Sequence, residues 1–133
     1  MSRRVSGGVG VTALVSGGHF LSHLYFLAFP PLFPILATEF DATVTRLALG
    51  VSLVYLALFV FQIPAGELVD RVGAKRVLVG GLFVTGVSMV LVGFADSYPA
   101  FLALAFLSGI GQSPFHPADY ALLDASGEES GEG

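Results

Sequence analysis

Apolar residues run in long unbroken stretches along this chain, and polar residues are confined to a few short gaps. Four stretches stand out, covering about Val9 to Ala37, Arg46 to Val69, Val77 to Ala95 and Pro99 to Leu123. A helix needs about 20 mostly apolar residues to cross the hydrocarbon layer of a bilayer. The runs do not alternate with period two, so the strands of a membrane barrel are not expected. The pattern predicts an all-α polytopic membrane protein with four transmembrane helices.

The gaps carry helix-ending chemistry. Thr38-Glu39-Phe40-Asp41-Ala42-Thr43 is polar with capping side chains, Asp70-Arg71-Val72-Gly73-Ala74-Lys75 is charged with a turn glycine, and Asp96-Ser97-Tyr98-Pro99 reads as a helix start. Connections this short make consecutive helices antiparallel. From Asp124 the chain is rich in Gly, Ser and Glu, which predicts a disordered acidic tail over 124–133 behind a helical domain over 1–123.

Composition agrees with a lipid solvent. Of the 133 residues, 54% are hydrophobic and 12% charged, with a mean hydropathy of +0.81. Soluble domains carry about 25% charged residues, and a chain of this length cannot hide so much apolar surface in a core of its own. With no cysteine, disulfides and thiolate metal sites are excluded. The net charge of −4 and the scarcity of Lys and Arg exclude nucleic acid as a partner. Arg3 and Arg4 followed by an apolar run resemble a signal peptide, but the run continues past Phe33, so a retained helix is expected. Arg3, Arg4, Arg71, Lys75 and Arg76 fall on one side of the predicted bilayer and only Arg46 on the other. The basic side faces the cytoplasm, which places both termini there and the chain in the cell membrane.

Ionisable groups at membrane depth are costly and mark function by default. They are unevenly spread. His19 and His23 lie in the first segment and share a helix face with Ser16. Ser108, Gln112, His116 and Asp119 follow one face of the fourth. At 1.5 Å per residue, His19 lies roughly 15 Å from the cytoplasmic end of its helix, His116 about 10 Å and Asp119 about 5 Å, so the two stripes can meet. Three readings stand. His19, His23, Gln112, His116 and Asp119 line a cavity for a polar solute or a proton; or they hydrogen-bond helices together; or the histidines and Asp119 ligate a metal. No acidic residue lies between His19 and His23 as in a zinc-protease motif, which disfavours metal. No nucleophile–base pair at recognisable spacing is present, so an enzyme is not expected, and no cofactor is called for. Pro30, Pro31 and Pro34 interrupt the outer half of the first segment, and Pro114 and Pro117 bracket His116.

The stretch from Gly66 to Leu78 resembles the signature loop that joins helices two and three in the major facilitator superfamily. Gly66, Leu68, Asp70, Arg71, Gly73, Lys75 and Leu78 fit, with Arg76 among the closing basics, while Ala74 departs from the usual basic residue. Gly73 is expected to make the tight turn, and Asp70 with the basics an interfacial charge network. The run Gly109 to Tyr120, with Phe115-His116-Pro117, resembles the fourth helix of fosmidomycin-resistance-like members. Ala105 stands where the drug-antiporter subgroup carries arginine, which argues against that subgroup's proton scheme. The resemblance implies a cavity lined by helices one and four, with helix three peripheral. It also fits the matching spacing of Gly18 to His23 and Gly111 to His116.

Family members have twelve helices in two halves, each half built of inverted three-helix repeats. This chain corresponds to the first four. The expectation is therefore an N-terminal fragment of a secondary transporter for a small solute, inactive alone. The competing expectation is a small four-helix membrane interaction protein without transport activity. A dimeric small multidrug transporter is disfavoured because the first segment holds no acid. The expected partners are the lipid bilayer, a small-molecule substrate, and either a homo-oligomer or a complementary transporter half.

Overall fold

The computed structural model describes the backbone of residues 2–131, and side chains from residue 10 to residue 124 apart from residue 11. It is helical almost throughout, with no strand among the described residues: α1 (Ser2–Glu39), α2 (Val44–Val72), α3 (Ala74–Val92), α4 (Tyr98–Gln112) and α5 (Phe115–Gly131). α1, α2 and α3 are each long and apolar enough to cross a membrane. The fourth predicted helix is present as a single path broken at Ser113–Pro114 into α4 and α5. Alone, the 15 residues of α4 extend only about 22 Å.

The links follow from local chemistry. α1 closes with the Phe40 N–H on the Leu36 carbonyl and the Ala42 N–H on the Ala37 carbonyl, while Asp41 takes a left-handed φ of 46°. Aspartate tolerates that region better than most residues. Thr43 then caps α2, its hydroxyl accepting from the Arg46 N–H. Between α2 and α3 a single residue, Gly73, reverses the chain with φ 94° and ψ 139°. Its N–H donates to the Val69 carbonyl and its carbonyl accepts from the Val77 N–H. The Tyr98 hydroxyl donates to the Arg46 carbonyl at 2.8 Å, and the Arg46 guanidinium lies 4.4 Å over the Tyr98 ring. This pair ties the first turn of α2 to the first turn of α4.

Two expectations about prolines are revised. Pro30, Pro31 and Pro34 lie inside α1 without breaking it. All three are exposed, so their rings stand clear of the packed interface. The break expected around His116 falls instead at Ser113–Pro114. Pro114 has no N–H to give the Ile110 carbonyl, and the Ser113 hydroxyl and N–H both turn to that carbonyl. The Ala118 N–H on the Pro114 carbonyl restarts the helix, and Pro117 sits in its first turn, where a missing N–H costs nothing.

α4 is wedged between α2 and α3, and α1 packs along α5. Gly109 and Gly111 make the wedge fit. A Cβ at Gly109 would strike the Val54 carbonyl of α2, and one at Gly111 would strike Thr85 of α3. Phe29, Phe101, Leu47 and Val54 are fully buried in the core at the α1–α2 link end, and a smaller cluster of Val69, Val77 and Ala118 sits near Gly73. The outer faces are apolar and open: Phe59, Ile63, Phe83 and Phe94 are each more than 70% exposed. In water such a surface would aggregate; toward lipid it costs nothing.

α5 does not stop at Leu123. Its helical backbone continues to Gly131, through most of the segment whose composition suggests a disordered tail. Propagating a formed helix needs only one residue fixed per added bond, and Ala125, Glu128 and Glu129 are compatible with it. Residues 132 and 133 of that tail lie outside the described residues.

Candidate functional site

The polar stripe of α1 meets the start of α5 in a cleft of about 520 Å³. Its polar lining is Ser16, His19 and His23 from α1 with His116, Asp119 and Tyr120 from α5; Val15, Phe20 and Leu123 complete the walls. Spacing explains the convergence. Residues 16, 19 and 23 fall on one helical face, as do 116, 119, 120 and 123. Phe115 is buried under Gly18, which brings the two helices together beside the cleft.

Asp119 is the deepest member, with its side chain 9% exposed. Its Oδ2 lies 3.0 Å from His19 Nδ1. When the carboxylate is ionised it can only accept, and the His19 Nδ1–H is then the donor. The other carboxylate oxygen, Oδ1, is buried with no hydrogen-bond partner among the described residues. His19 Nε2 in turn lies 3.1 Å from Nε2 of the exposed His23. The Ser22 hydroxyl donates to the His19 carbonyl at 2.8 Å. The His116 ring meets the His19 ring edge-on, with centroids 5.6 Å apart. From His23 an aromatic path continues to Phe26, which stacks on Tyr55 of α2 at 4.7 Å.

Four of the five sequence candidates therefore come together: His19, His23, His116 and Asp119. Gln112 does not. It is 1% exposed in the packing around α4, and neither amide atom has a partner among the described residues. The stripe that joins Ser108 and Gln112 to His116 and Asp119 assumes one unbroken helix, and the Ser113–Pro114 break divides it. Ser108 belongs to the packed part, where its carbonyl accepts from the Thr85 hydroxyl at 3.3 Å. Tyr120 joins the lining without standing out in the sequence, though its place four residues after His116 puts it on the same face. Among the described residues, no three His, Asp or Glu side chains converge as a metal set would.

At the α2–α3 link, Gly73 makes the turn its sequence context predicts. The surrounding charges do not form a network within the described residues. Arg71 approaches Glu67 at 3.7 Å, both well exposed, a surface pair of little energetic weight. Asp70, Lys75 and Arg76 stand exposed. Gly66 meets Pro117 at ordinary contact distance and does not itself require glycine.

Comparison with known proteins adds to this geometry. The Major Facilitator Superfamily model matches residues 15–127. An uncharacterized MFS-type transporter, YwoD of Bacillus subtilis (strain 168), is 31% identical over 85 residues, covering 64% of this chain and 19% of that protein. The probable sulfoacetate transporter SauU of Cupriavidus necator is 33% identical over 84 residues, 63% of this chain and 20% of that protein. The fosmidomycin resistance protein of Escherichia coli (strain K12) is 29% identical over 108 residues, 81% of this chain and 27% of that protein. The chain thus spans about a fifth to a quarter of the length of these relatives. No solved structure matches it significantly.

Proposed function

The chain belongs to the major facilitator superfamily, and from that premise we propose that it is the N-terminal part of a secondary transporter whose small-solute or proton path runs through the α1–α5 cleft. The observation that carries the reading is the convergence of His19, His23, His116 and Asp119, from opposite ends of the sequence, on one cleft between membrane helices. Burying a carboxylate among imidazoles serves no packing need, because apolar residues of similar volume would stabilise the helix pair at least as well. Gln112 belongs to this path only if the packing around α4 opens. Asp70 and the exposed basics of the α2–α3 link are then free to engage the complementary half.

The solute class we favour is a small organic anion. Relatives are named for sulfoacetate, for galactarate and D-glucarate, and for tartrate, and three imidazoles suit a carboxylate or sulfonate. Alternating access rocks two halves about a central site, so this stretch of chain alone supplies one wall and is expected not to transport. In this reading the membrane is the cell membrane, with the α2–α3 link and both termini cytoplasmic.

Two measurements test the proposal. Liposomes holding only this chain are expected to show no uptake of labelled tartrate, galactarate or sulfoacetate above empty liposomes. The detergent-solubilised chain is expected to gain thermal stability with at least one of these anions, and to lose that gain in His116→Ala. Uptake by the chain alone overturns the inactive reading; stabilisation by none of the anions overturns the anion assignment.

A further inference from the structure

Resting on the reading of the α1–α5 cleft as a transport path, we propose that Asp119, His19 and His23 form a proton relay that carries one proton from the exposed end of the cleft to the buried carboxylate. With Asp119 ionised and both histidines neutral, the two contacts allow one direction for each hydrogen bond. With Asp119 ionised, Oδ2 accepts and His19 Nδ1–H donates across 3.0 Å. A neutral His19 then has a lone pair on Nε2, so the 3.1 Å contact with His23 must be a donation from His23 Nε2–H. That leaves the lone pair of His23 on Nδ1, at the exposed end of the chain of bonds. Both ring nitrogens of His19 are occupied, one by the carboxylate and one by His23. Although the His19 ring is partly exposed, protons reach its nitrogens through His23.

The transfer balances with no group moving. A proton from water bonds to His23 Nδ1. The His23 Nε2–H bond breaks as a His19 Nε2–H bond forms, and the His19 Nδ1–H bond breaks as an Asp119 Oδ2–H bond forms. Afterwards both imidazoles are neutral in the opposite tautomers, Asp119 is a neutral acid, and both hydrogen bonds point the other way. The net change is one proton gained and one buried negative charge removed. Asp119 suits the terminal position because it is the most buried member of the chain of bonds and its Oδ1 has no hydrogen-bond partner among the described residues. The other titratable groups facing the relay are His116 and Tyr120 of α5, and no charged side chain of α2, α3 or α4 lines the cleft. His116 meets His19 only ring to ring, so it stands beside the relay rather than in it.

The test is ¹⁵N NMR on the full chain, labelled in its histidine rings and held in lipid nanodiscs. At neutral pH, His19 is expected as the Nδ1–H tautomer and His23 as the Nε2–H tautomer. In His23→Ala, exchange of the His19 Nδ1 proton with water is expected to slow at least about a hundredfold, the low end of what a positioned acid–base group contributes to a proton transfer. Imidazole added to that variant is expected to restore the rate, which a purely structural role for His23 would not allow. His23 is exposed, so its removal leaves the buried packing intact. Finding His19 as the Nε2–H tautomer, or exchange unchanged or faster in His23→Ala, overturns the relay. None of these readouts needs a transported solute, so the relay and the transporter reading can fail separately.

Discussion

Gly111 stands directly against Thr85: a Cβ built on it would lie 2.5 Å from Thr85 Oγ1 and 2.7 Å from the Thr85 nitrogen. Two residues earlier, on the other flank of α4, Gly109 lies as tightly against Val54 of α2. Within a membrane the hydrophobic effect does not press helices together, so close backbone approach has to supply the packing. Gly111→Ala and Gly109→Ala are each expected to cost about 1–3 kcal/mol through overpacking, outweighing the gain in helix propensity of at most about 1 kcal/mol. Gly17 and Gly80 have open space where a Cβ would go, so alanine there is expected to be neutral or stabilising. Unfolding in mixed micelles, followed by circular dichroism, measures all four. Equal losses at Gly80 and Gly111 would refute the wedge.

Gly73 carries the whole α2–α3 link at φ 94° and ψ 139°. Side chains avoid this region, and its ψ lies far from the left-handed helical well that asparagine tolerates. Gly73→Ala and Gly73→Asn are therefore both expected to destabilise, by about 1–3 kcal/mol each. A rescue by asparagine relative to alanine, measured in the same unfolding assay, would mean that the link instead uses the left-handed helical conformation.

Much of this arrangement is legible in the sequence for physical reasons that can be stated residue by residue. Apolar run length reports spanning helices because the bilayer sets the length. The pairing of His19 with His23 follows from helical periodicity alone, as does that of His116 with Asp119. What the sequence hides is the direction of α5. Pro114 is compatible with a bend, a first turn or a break, and only the capture of the Ile110 carbonyl by Ser113 decides among them. Once the helix is interrupted, periodicity no longer carries across it, and Gln112 parts from His116. The α5 backbone beyond Leu123 is hidden for a related reason, since glycine, serine and glutamate are weak signals of disorder next to a helix already formed.

Gln112 supplies a third prediction. Both amide atoms are buried without a partner among the described residues, and such groups cost roughly 1–3 kcal/mol when left unsatisfied. Gln112→Leu keeps much of the volume and removes the polar atoms. It is expected to leave stability unchanged or raise it, with the melting temperature of the solubilised chain as the measure. A loss above about 2 kcal/mol, on the scale of a broken buried hydrogen bond to a charged group, would show that the amide is engaged in the folded chain.

The last prediction concerns topology. The helix ends on either side of the α2–α3 link at Gly73 carry Arg71, Lys75 and Arg76, whereas the α3–α4 link at residues 93–97 carries no basic residue. Positive charge near helix ends is retained on the cytoplasmic side, so the two links are expected to face opposite compartments, as consecutive ends of α3 must if it spans. The chain has no cysteine, and Lys75 and Asp96 are both exposed, so single cysteines at these positions report their compartment without other changes. A membrane-impermeant maleimide applied to intact cells is expected to label Asp96→Cys and not Lys75→Cys, and to label both after permeabilisation. Labelling of Lys75→Cys alone in intact cells would invert the orientation, and labelling of both would remove α3 from the membrane.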